Sequence, residues 1–403
     1  MRPDRSPDPQ APTTLLVVLS GNDRPGMTAA IFAAMDGEVL DIEQVTIRGR
    51  LIQAVLLGLS PDDDLSQLTR TIERTAADLG LTLEAIAGPD VGRAGHRRRA
   101  RVTVMASPLC PADIAAFTHR VAESGGNIER IGRVARYPVT AISMEVRGAD
   151  ITTLRRTLAA EAAAREVDAA VQPIGLDSRG QHLVVMDVDS TLIQDEVIEL
   201  IAAHAGCADE VAAVTAAAMA GDLDFAESLT RRVALLRGVP VTALDQIKQE
   251  VRLTPGARTL CRTLRHLGYR IALVSGGFAE IVEPLGADLG VDAVRANRLE
   301  VADGKLTGRV AGTVVDRAAK ATALREFAAQ MGIPLSRTIA IGDGANDLDM
   351  LAAAGLGVAF NAKPVVRAEA DTAVNVPYLD TVLFLLGITR EEIEDADTAV
   401  GVD

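Results

Sequence analysis

Hydrophobic and polar positions follow one pattern up to about residue 175 and another after residue 180. In the first part, apolar strand-like segments and helical patterns occur in the order strand–helix–strand–strand–helix–strand, and the order occurs twice. The two copies superpose with Pro25 matching Pro111, 86 positions later. This order predicts two ferredoxin-like α+β domains, over residues 13–90 and 100–176.

Short, continuous apolar runs separated by helical patterns follow residue 180. Runs of this kind are expected of parallel strands that are buried on both faces of a sheet. They span residues 182–186, 269–274, 338–341 and 357–360. We predict a doubly wound, Rossmann-like parallel α/β sheet over residues 181–390, with a helical cap inserted at about residues 195–254, where no such run occurs.

The two ends of the chain lack this patterning. Residues 1–12 are rich in Pro and Asp, and we predict that they are disordered. Residues 391–403 form an acidic tail with few apolar side chains to bury, and we predict that this tail is loose.

The composition narrows the classes of partner. A formal net charge of −14 argues against nucleic acid or an anionic membrane as the main partner, because either would repel the chain. No apolar stretch approaches the roughly 20 residues of a membrane span, and the N-terminus lacks the apolar region of a signal peptide. Three cysteines without metal-type spacing fit reduced thiols. We therefore expect a cytoplasmic protein.

Polar residues follow three of the predicted strands, at the edge where such sheets bind ligands. The first strand leads to Asp187 and Asp189, the second to Ser275-Gly276-Gly277, and the third to Gly342-Asp343-Gly344-Ala345-Asn346-Asp347. One such cluster alone is weak evidence, since Asp and Gly also mark ordinary turns. All three together, with Lys320 between the last two, indicate a site for a metal and a phosphate.

The carboxylates at this edge suit chemistry at phosphorus. Asp187 and Asp343 would lie close together, which costs energy unless a cation lies between them, and hard oxygen ligands suit Mg²⁺. We predict that Asp187 is the nucleophile and forms an aspartyl-phosphate. Asp189 is predicted to be the proton donor and then the general base. Asp347 is predicted to support the metal site through hydrogen bonds, with direct ligation of the metal as the alternative.

Three further groups are predicted to hold the phosphoryl oxygens. Ser275 and the backbone N–H of Gly276 can approach them closely, since glycine lets the backbone come near a ligand. Lys320 is one of only four lysines among 41 basic residues. Its positive charge suits the oxygens on which phosphoryl transfer gathers negative charge.

These motifs resemble those of the haloacid-dehalogenase superfamily, and the match extends into the insert. The runs 187–196, 219–225, 228–233, 275–278 and 342–347 look like the phosphoserine phosphatase family, over about residues 181–390. The resemblance implies a metal site at Asp187, Asp189 and Asp343. It implies substrate contacts at Glu196, Arg232, Ser275, Gly276, Lys320 and Asn346, and a cap lining at Met219 and Phe225.

The implied substrate, O-phosphoserine, suits these residues. It carries an ammonium, a carboxylate and a phosphate on a three-carbon frame. Glu196 can take the ammonium, and Arg232 can grip the carboxylate as a planar fork. The resemblance thus implies Mg²⁺-dependent hydrolysis of O-phospho-L-serine to L-serine and phosphate, the last step of serine biosynthesis.

The two N-terminal copies resemble ACT domains, small regulatory modules that bind amino acids. The likeness covers about residues 13–175 and includes the loop 22–26, in which Asn22, Asp23 and Gly26 are candidate effector contacts. In the second copy the positions matching Asp23, Arg24 and Gly26 hold Leu109, Cys110 and Ala112. We expect a homodimer regulated by serine or another amino acid, or else two dimerisation modules without a ligand.

Two other functions stay open on this reasoning. The chain could be an amino-acid-sensing interaction protein with a vestigial phosphatase half, although such a site should have lost one of Asp187, Lys320 and Asp343. It could also act on another small phosphorylated metabolite, such as a sugar phosphate or homoserine phosphate. Glu196 and Arg232 argue against sugars, which have no ammonium or carboxylate to bind.

Overall fold

The computed structural model describes residues 13–60, 62–89, 99–175, 180–219 and 224–400. The predicted disorder of residues 1–12 therefore lies outside the described residues. No helix within those ranges is both long and apolar enough to cross a membrane. The chain divides into two compact units, residues 1–96 and 97–403, each described below by itself.

The first unit is a four-stranded antiparallel sheet covered by two helices. Its elements are β1 (Thr13–Asn22), α1 (Met27–Ala33), β2 (Glu38–Ile47), β3 (Arg50–Leu59), α2 (Leu65–Leu79) and β4 (Thr82–Pro89). The strand order is β2-β3-β1-β4. Leu15, Val17 and Leu19 alternate along β1 and are buried, as the two-residue period of a strand requires.

The second unit begins with a domain of the same topology. Its elements are β5 (Arg99–Ala106), α3 (Pro111–Glu123), β6 (Asn127–Ala135), β7 (Thr140–Arg147), α4 (Ile151–Arg165) and β8 (Asp168–Ile174). The strand order β6-β7-β5-β8 repeats that of the first unit. The prediction of two ferredoxin-like domains is confirmed.

A seven-stranded, mostly parallel sheet forms the centre of the second unit. Its strands are β9 (Leu183–Met186), β10 (Arg270–Phe278), β11 (Ala293–Ala302), β12 (Lys305–Ala311), β13 (Thr338–Gly342), β14 (Leu356–Phe360) and β15 (Thr372–Val374). The order is β12-β11-β10-β9-β13-β14-β15, so the fully buried β9 lies between β10 and β13 and runs parallel to both. The predicted Rossmann-like sheet is confirmed.

Four helices form the insert between β9 and β10. They are α5 (Val197–Ala205), α6 (Ala208–Met219), α7 (Phe225–Leu235) and α8 (Val241–Glu250). The chain enters and leaves the insert side by side, because Ile193 and Leu253 form an antiparallel bridge. The N–H of Gln194 also donates to the carbonyl of Arg252 at 2.9 Å. The chain thus passes into and out of the insert through a two-stranded stem, and the segment between α7 and α8 also pairs with β12, where Pro240 and Lys305 form a bridge.

The remaining helices follow the strands of the sheet. They are α9 (Ala257–His266), α10 (Ala279–Leu289), α11 (Arg317–Gln330), α12 (Leu348–Ala353), α13 (Pro364–Glu369), α14 (Val382–Leu385) and α15 (Arg390–Val400).

The last of these helices corrects the prediction of a loose acidic tail. Residues 390–400 are helical, and Ile393 is fully buried. Arg390 pairs with Glu394 one turn later, and Glu391 pairs with Arg133 of the second ferredoxin-like domain. The prediction was wrong because it considered only the acidic composition of this segment. One buried apolar side chain and these ion pairs together favour a docked helix.

The second ferredoxin-like domain and the large sheet share one hydrophobic core. Met105 and Val139 of the smaller domain pack in the same cluster as Val184 and Ile341 of the sheet. Along the edge of the domain, the hydroxyl of Thr372 on β15 donates to the carbonyl of Ala169 on β8 at 2.5 Å. This seam, between β8 and β15, fixes one domain against the other within the unit.

Candidate active site

The site is built at the carboxyl end of β9, the central strand of the large sheet. The N–H of Asp187 donates to the carbonyl of Ile341 on β13 at 2.9 Å, so the ladder continues up to this residue. Ser275 on β10 and Asp343 just after β13 lie at the same edge. The topology thus brings the three predicted strand ends together.

The turn after β9 sends successive side chains to different partners. Ser190 has a φ of 59°, in the left-handed region, and its hydroxyl donates to Oε1 of Glu196 at 3.0 Å. The hydroxyl of Thr191 donates to Oδ1 of Asp343 at 3.0 Å. One turn therefore positions a carboxylate of the cap and a carboxylate of the catalytic edge.

Lys320 lies between two buried carboxylates. Its Nζ is 2.7 Å from Oδ1 of Asp187 and 2.7 Å from Oδ1 of Asp347, and its side chain is 1% exposed. Burial would lower the pKa of Lys320, but the two carboxylates outweigh it and raise that pKa. Lys320 is therefore a fixed positive charge next to the predicted nucleophile.

The acidic residues of the site resist ionisation when no cation is bound. Burial, and then the negative charge of Asp347, raises the pKa of Asp187 well above its usual value, against the opposing effect of Lys320. The same two causes raise the pKa of Asp343 to about 6. Carboxylates crowded in this way gain stability from a bound cation.

The donor set fits a divalent metal. Asp187, Asp343 and Asp347 each offer an oxygen, and these oxygens lie within 4.8 Å of one another. Oδ1 of Asp187 is buried and lies 2.7 Å from Nζ of Lys320. Three hard oxygen donors with one lysine among them leave an excess of negative charge that suits Mg²⁺.

The carboxylate of Asp189 lies outside this cluster, although Asp189 was predicted as a metal ligand. Its Oδ1 accepts the N–H of Val197 at 2.7 Å, and its Oδ2 accepts the hydroxyl of Ser275 at 3.0 Å. Burial raises the pKa of Asp189 above its usual value. The hydrogen bonds thus fix the direction of this side chain, and its predicted roles as proton donor and metal ligand stay predictions. Asp347, predicted as a support with direct ligation left open, belongs to the cluster.

A cavity of about 100 Å³ separates this edge from the cap. Glu196, just before α5, and Arg232, on α7, reach it from the cap side. Burial and the charge of Asp189 raise the pKa of Glu196 to about 7. Nε of Arg232 is buried without an acceptor, and burial lowers the pKa of this guanidinium against the opposing charge of Glu196. The cap thus brings one acidic and one basic side chain to the cavity.

The loop at the end of β10 is held tightly. Ser275 is fully buried, and its oxygen accepts the N–H of Gly277 at 2.7 Å while donating to Asp189. A Cβ on Gly276 would lie 3.2 Å from the ring of Phe225, and one on Gly277 would lie 2.7 Å from Oδ2 of Asp189. A side chain at position 277 would therefore force Asp189 to shift, whereas one at position 276 would press on the ring of Phe225.

The remaining predicted site residues lie in the cavity, in the cap and in the loop at residues 22–26. Asn346 and Phe225 line the cavity with the residues above. The side chain of Met219 lies outside the described residues, so its place in the cap lining stays a prediction. In the first unit, Oδ2 of Asp23 accepts the hydroxyl of Thr46, Asn22 ends β1, and Gly26 has a φ of 89° before α1. The effector role of that loop is likewise still a prediction.

Some residues of the site were not predicted. Ile198, Leu229 and Phe278 line the cavity as apolar wall. Phe278 directly follows the Gly-Gly pair, so the motif could have identified it. Ile198 and Leu229 have the spacing of ordinary core residues of a helix, so the sequence gives no sign that they line a cavity. Asn297 on β11 is buried, donating through Nδ2 to the carbonyl of Gly276 at 2.7 Å and accepting from the N–H of Val315. No sequence pattern marks it.

Comparison with known proteins gives a separate family match for each of the three domains described above. The family model of haloacid dehalogenase-like hydrolases matches residues 184–352, and ACT domain models match residues 13–85 and 99–172. A phosphoserine phosphatase of Streptomyces coelicolor is 58% identical over 388 residues, which cover 96% of this chain and 95% of that protein. The chain belongs to the phosphoserine phosphatase family.

Other members of the family agree over similar lengths. Phosphoserine phosphatase SerB2 of Mycobacterium tuberculosis is 48% identical, with 96% of each chain covered. The crystal structure of a probable phosphoserine phosphatase from Vibrio cholerae, unliganded, is 35% identical with a TM-score of 0.56, covering 73% of this chain and 88% of that one. The family resemblance predicted from the motifs is confirmed.

Proposed function

We propose that this chain hydrolyses O-phospho-L-serine to L-serine and inorganic phosphate, with Mg²⁺ as cofactor. One observation carries the proposal: a nucleophile-like carboxylate, Asp187, faces Glu196 and Arg232 across a single small cavity. The names of the similar proteins from S. coelicolor and M. tuberculosis support it.

The two cap residues account for the choice of substrate. An ammonium bound at Glu196 would gain the direct ion pair that this carboxylate lacks, since its hydrogen bond comes from the neutral hydroxyl of Ser190. A substrate carboxylate would supply the acceptor that Nε of Arg232 lacks. Phosphate esters without these two groups would leave both charges unpaired.

Asp187, Asp343 and Asp347 would hold Mg²⁺, which screens the charge of the phosphate so that an anionic nucleophile can approach. The carboxylate of Asp187 attacks phosphorus, the bond from phosphorus to the serine oxygen breaks, and Asp189 gives that oxygen a proton. Asp189 then takes a proton from water, whose oxygen attacks the aspartyl-phosphate. Phosphate leaves and Asp187 is restored.

The surroundings of each group fit its step. The raised pKa of Asp189 keeps a proton available for the leaving oxygen, and its bonds to Val197 and Ser275 fix the direction of the carboxylate. Lys320, with Nζ 2.7 Å from Oδ1 of Asp187, supplies a positive charge beside the attacking carboxylate, as phosphoryl transfer requires. Phe225 covers Gly276 and helps to exclude water from the intermediate.

We also propose that the reaction completes serine biosynthesis in the cytoplasm and that a homodimer is regulated by amino-acid binding. The matches of residues 13–85 and 99–172 to ACT domains support the regulatory part. Asn22, Asp23 and Gly26 are the candidate effector contacts in the first of these domains.

Phosphate release with and without Mg²⁺ tests the proposed reaction. We expect Asp187→Asn to lower kcat by about a thousandfold or more, because the amide cannot act as nucleophile. Asp209→Asn is the matched control, since Asp209 is exposed on α6. Residual activity within tenfold of the unchanged chain would reject Asp187 as nucleophile.

A substrate panel separates the proposal from the alternatives. We expect O-phospho-L-serine to have a kcat/KM at least a hundredfold above that of glycerol phosphate, which lacks the ammonium and the carboxylate. Equal turnover of the two esters would assign the enzyme to another phosphorylated metabolite. No Mg²⁺-dependent turnover of any ester would favour a vestigial site.

A further inference from the structure

A second cavity, of about 250 Å³, lies at the seam between the second ferredoxin-like domain and the large sheet. One wall comes from α4 and β8, and the other from α13 and β15. None of the residues that line it also lines the catalytic cavity. Cavities at domain boundaries are common places for small ligands.

Small side chains leave this space open. The apolar part of the lining is almost entirely alanine, with Ala159, Ala162 and Ala163 on α4 and Ala368 and Ala370 on or beside α13. A water occupies about 30 Å³ of liquid volume, so the cavity has room for a molecule of several heavy atoms. The alanines alone would not specify which molecule.

Charged groups of both signs face the same space. Asp168, at the start of β8, is only 5% exposed, and its oxygens accept the N–H of Asn375 at 3.0 Å and its Nδ2 at 2.5 Å. The amide oxygen of Asn375 in turn accepts from a guanidinium N–H of Arg367 at 3.0 Å. Glu166 adds a second carboxylate to the lining. Asn375 thus fixes a carboxylate and a guanidinium on opposite domains.

We propose that this cavity binds a free α-amino acid with a small side chain, its ammonium against Asp168 and Glu166 and its carboxylate against Arg367. An anion would be repelled by the two carboxylates, and a simple cation would leave the guanidinium without an anionic partner from the ligand. A neutral apolar molecule would form no ion pair with the buried carboxylate of Asp168. A zwitterion pairs both charges, and the alanines accept its short side chain.

The occupied site would tie the two domains together. Its carboxylates belong to the ferredoxin-like domain and its guanidinium to the sheet domain, so a bound amino acid bridges the seam. Burial raises the pKa of Asp168 to about 6, so this carboxyl is ionised at pH 7.5, as the ammonium requires. Binding only to the folded, closed seam would stabilise it by linkage.

Calorimetric titration of the full chain at pH 7.5 with L-serine, L-alanine and glycine tests this site. Two variants remove it: Arg367→Met takes away the cation, and Ala163→Leu fills the space. Arg325→Met and Ala160→Leu are matched controls, since both residues are exposed and lie outside the lining. We expect one binding site to be weakened at least tenfold in the first pair and unchanged in the controls.

Several results would overturn the proposal. They are the absence of amino-acid binding, equal binding by all four variants, and equally tight binding of acetate or putrescine. The readout is binding, so it does not depend on the proposed hydrolysis. Phosphate release within twofold of the unchanged chain in all four variants would show that the lost site is not the catalytic one.

Discussion

Lys320 neutralises two carboxylates that would otherwise be buried side by side. Removing one partner from such a group leaves an uncompensated buried charge, which costs about 3 kcal/mol or more. We expect Lys320→Met to lower the free energy of unfolding by about that amount in urea titrations without Mg²⁺. Lys248→Met is the control, because Lys248 forms only a surface pair with Asp245 and should change stability by less than about 0.5 kcal/mol.

Magnesium gives the same variant a second readout. If Asp187, Asp343 and Asp347 bind the ion, Mg²⁺ supplies the positive charge that the methionine lacks. Saturating Mg²⁺ should therefore restore part of the lost stability of Lys320→Met. Equal stability of the variant with and without Mg²⁺ would count against this metal site.

The pKa of Glu196 predicts a dependence of substrate binding on pH. This pKa, about 7, lies above the usual value for a glutamate, so Glu196 takes up a proton as pH falls through 7 and loses the charge proposed to bind the ammonium. We expect kcat/KM for O-phosphoserine to fall about tenfold between pH 8 and pH 6. Steady-state kinetics across this range measure the effect.

Two comparisons isolate that carboxyl from the titration of the phosphate itself. Glycerol phosphate has no ammonium, so its profile reports the phosphate and the catalytic groups alone. Glu196→Gln should have a lower kcat/KM at pH 8 and should follow the glycerol phosphate profile with either ester. A variant that retained the full pH dependence would assign it to another group.

The loop that ends β10 contacts Asp189, the proposed proton donor, through Ser275 and Gly277. Gly277→Ala would place a methyl group 2.7 Å from Oδ2 of Asp189 and 3.0 Å from the hydroxyl of Ser275. Since Asp189 must then move, we expect kcat to fall at least tenfold with the fold retained by circular dichroism. Gly132→Ala, which meets no atom within 4 Å, should leave kcat unchanged. Equal kcat values of the two variants would show that catalysis does not depend on the position of the Asp189 carboxylate.

The strands of the large sheet could be predicted from the sequence. Most of the residues that hold the loops of the site in place could not. Continuous apolar runs fix buried parallel strands, and the parallel order brings Asp187, Ser275 and Asp343 to one edge. Asn297 is different, because a lone Asn in a strand has no local pattern and its partners are far away in sequence. The helix at residues 390–400 was missed for the same reason, since its stability comes from docking Ile393.

The two compact units predict different results for two truncations. A variant lacking residues 1–96 keeps the whole second unit, and we expect it to retain kcat and its dependence on Mg²⁺. A variant lacking residues 1–180 loses Ala169 and Asp168, the partners of Thr372 and Asn375, and part of the shared core. We expect it to melt several degrees lower and to aggregate, by differential scanning calorimetry and light scattering.

These truncations also test regulation. If the loop containing Asp23 binds an amino-acid effector, the variant lacking residues 1–96 should lose inhibition by serine while its kcat stays unchanged. Inhibition of the same strength would move the effector site into the second unit. Equal melting temperatures of the two truncations would contradict the shared core.

The two-stranded stem at Ile193 and Leu253 has a consequence for how such enzymes diversify. The side chains proposed to recognise the amino-acid part of the substrate, Glu196 and Arg232, are encoded between these two positions, while the proposed nucleophile, Asp187, and Lys320 are encoded outside them. Exchange of that one stretch of gene could give a descendant a new ester to cleave while it inherited an intact reaction centre. Selection could then change the substrate specificity and the catalytic residues independently.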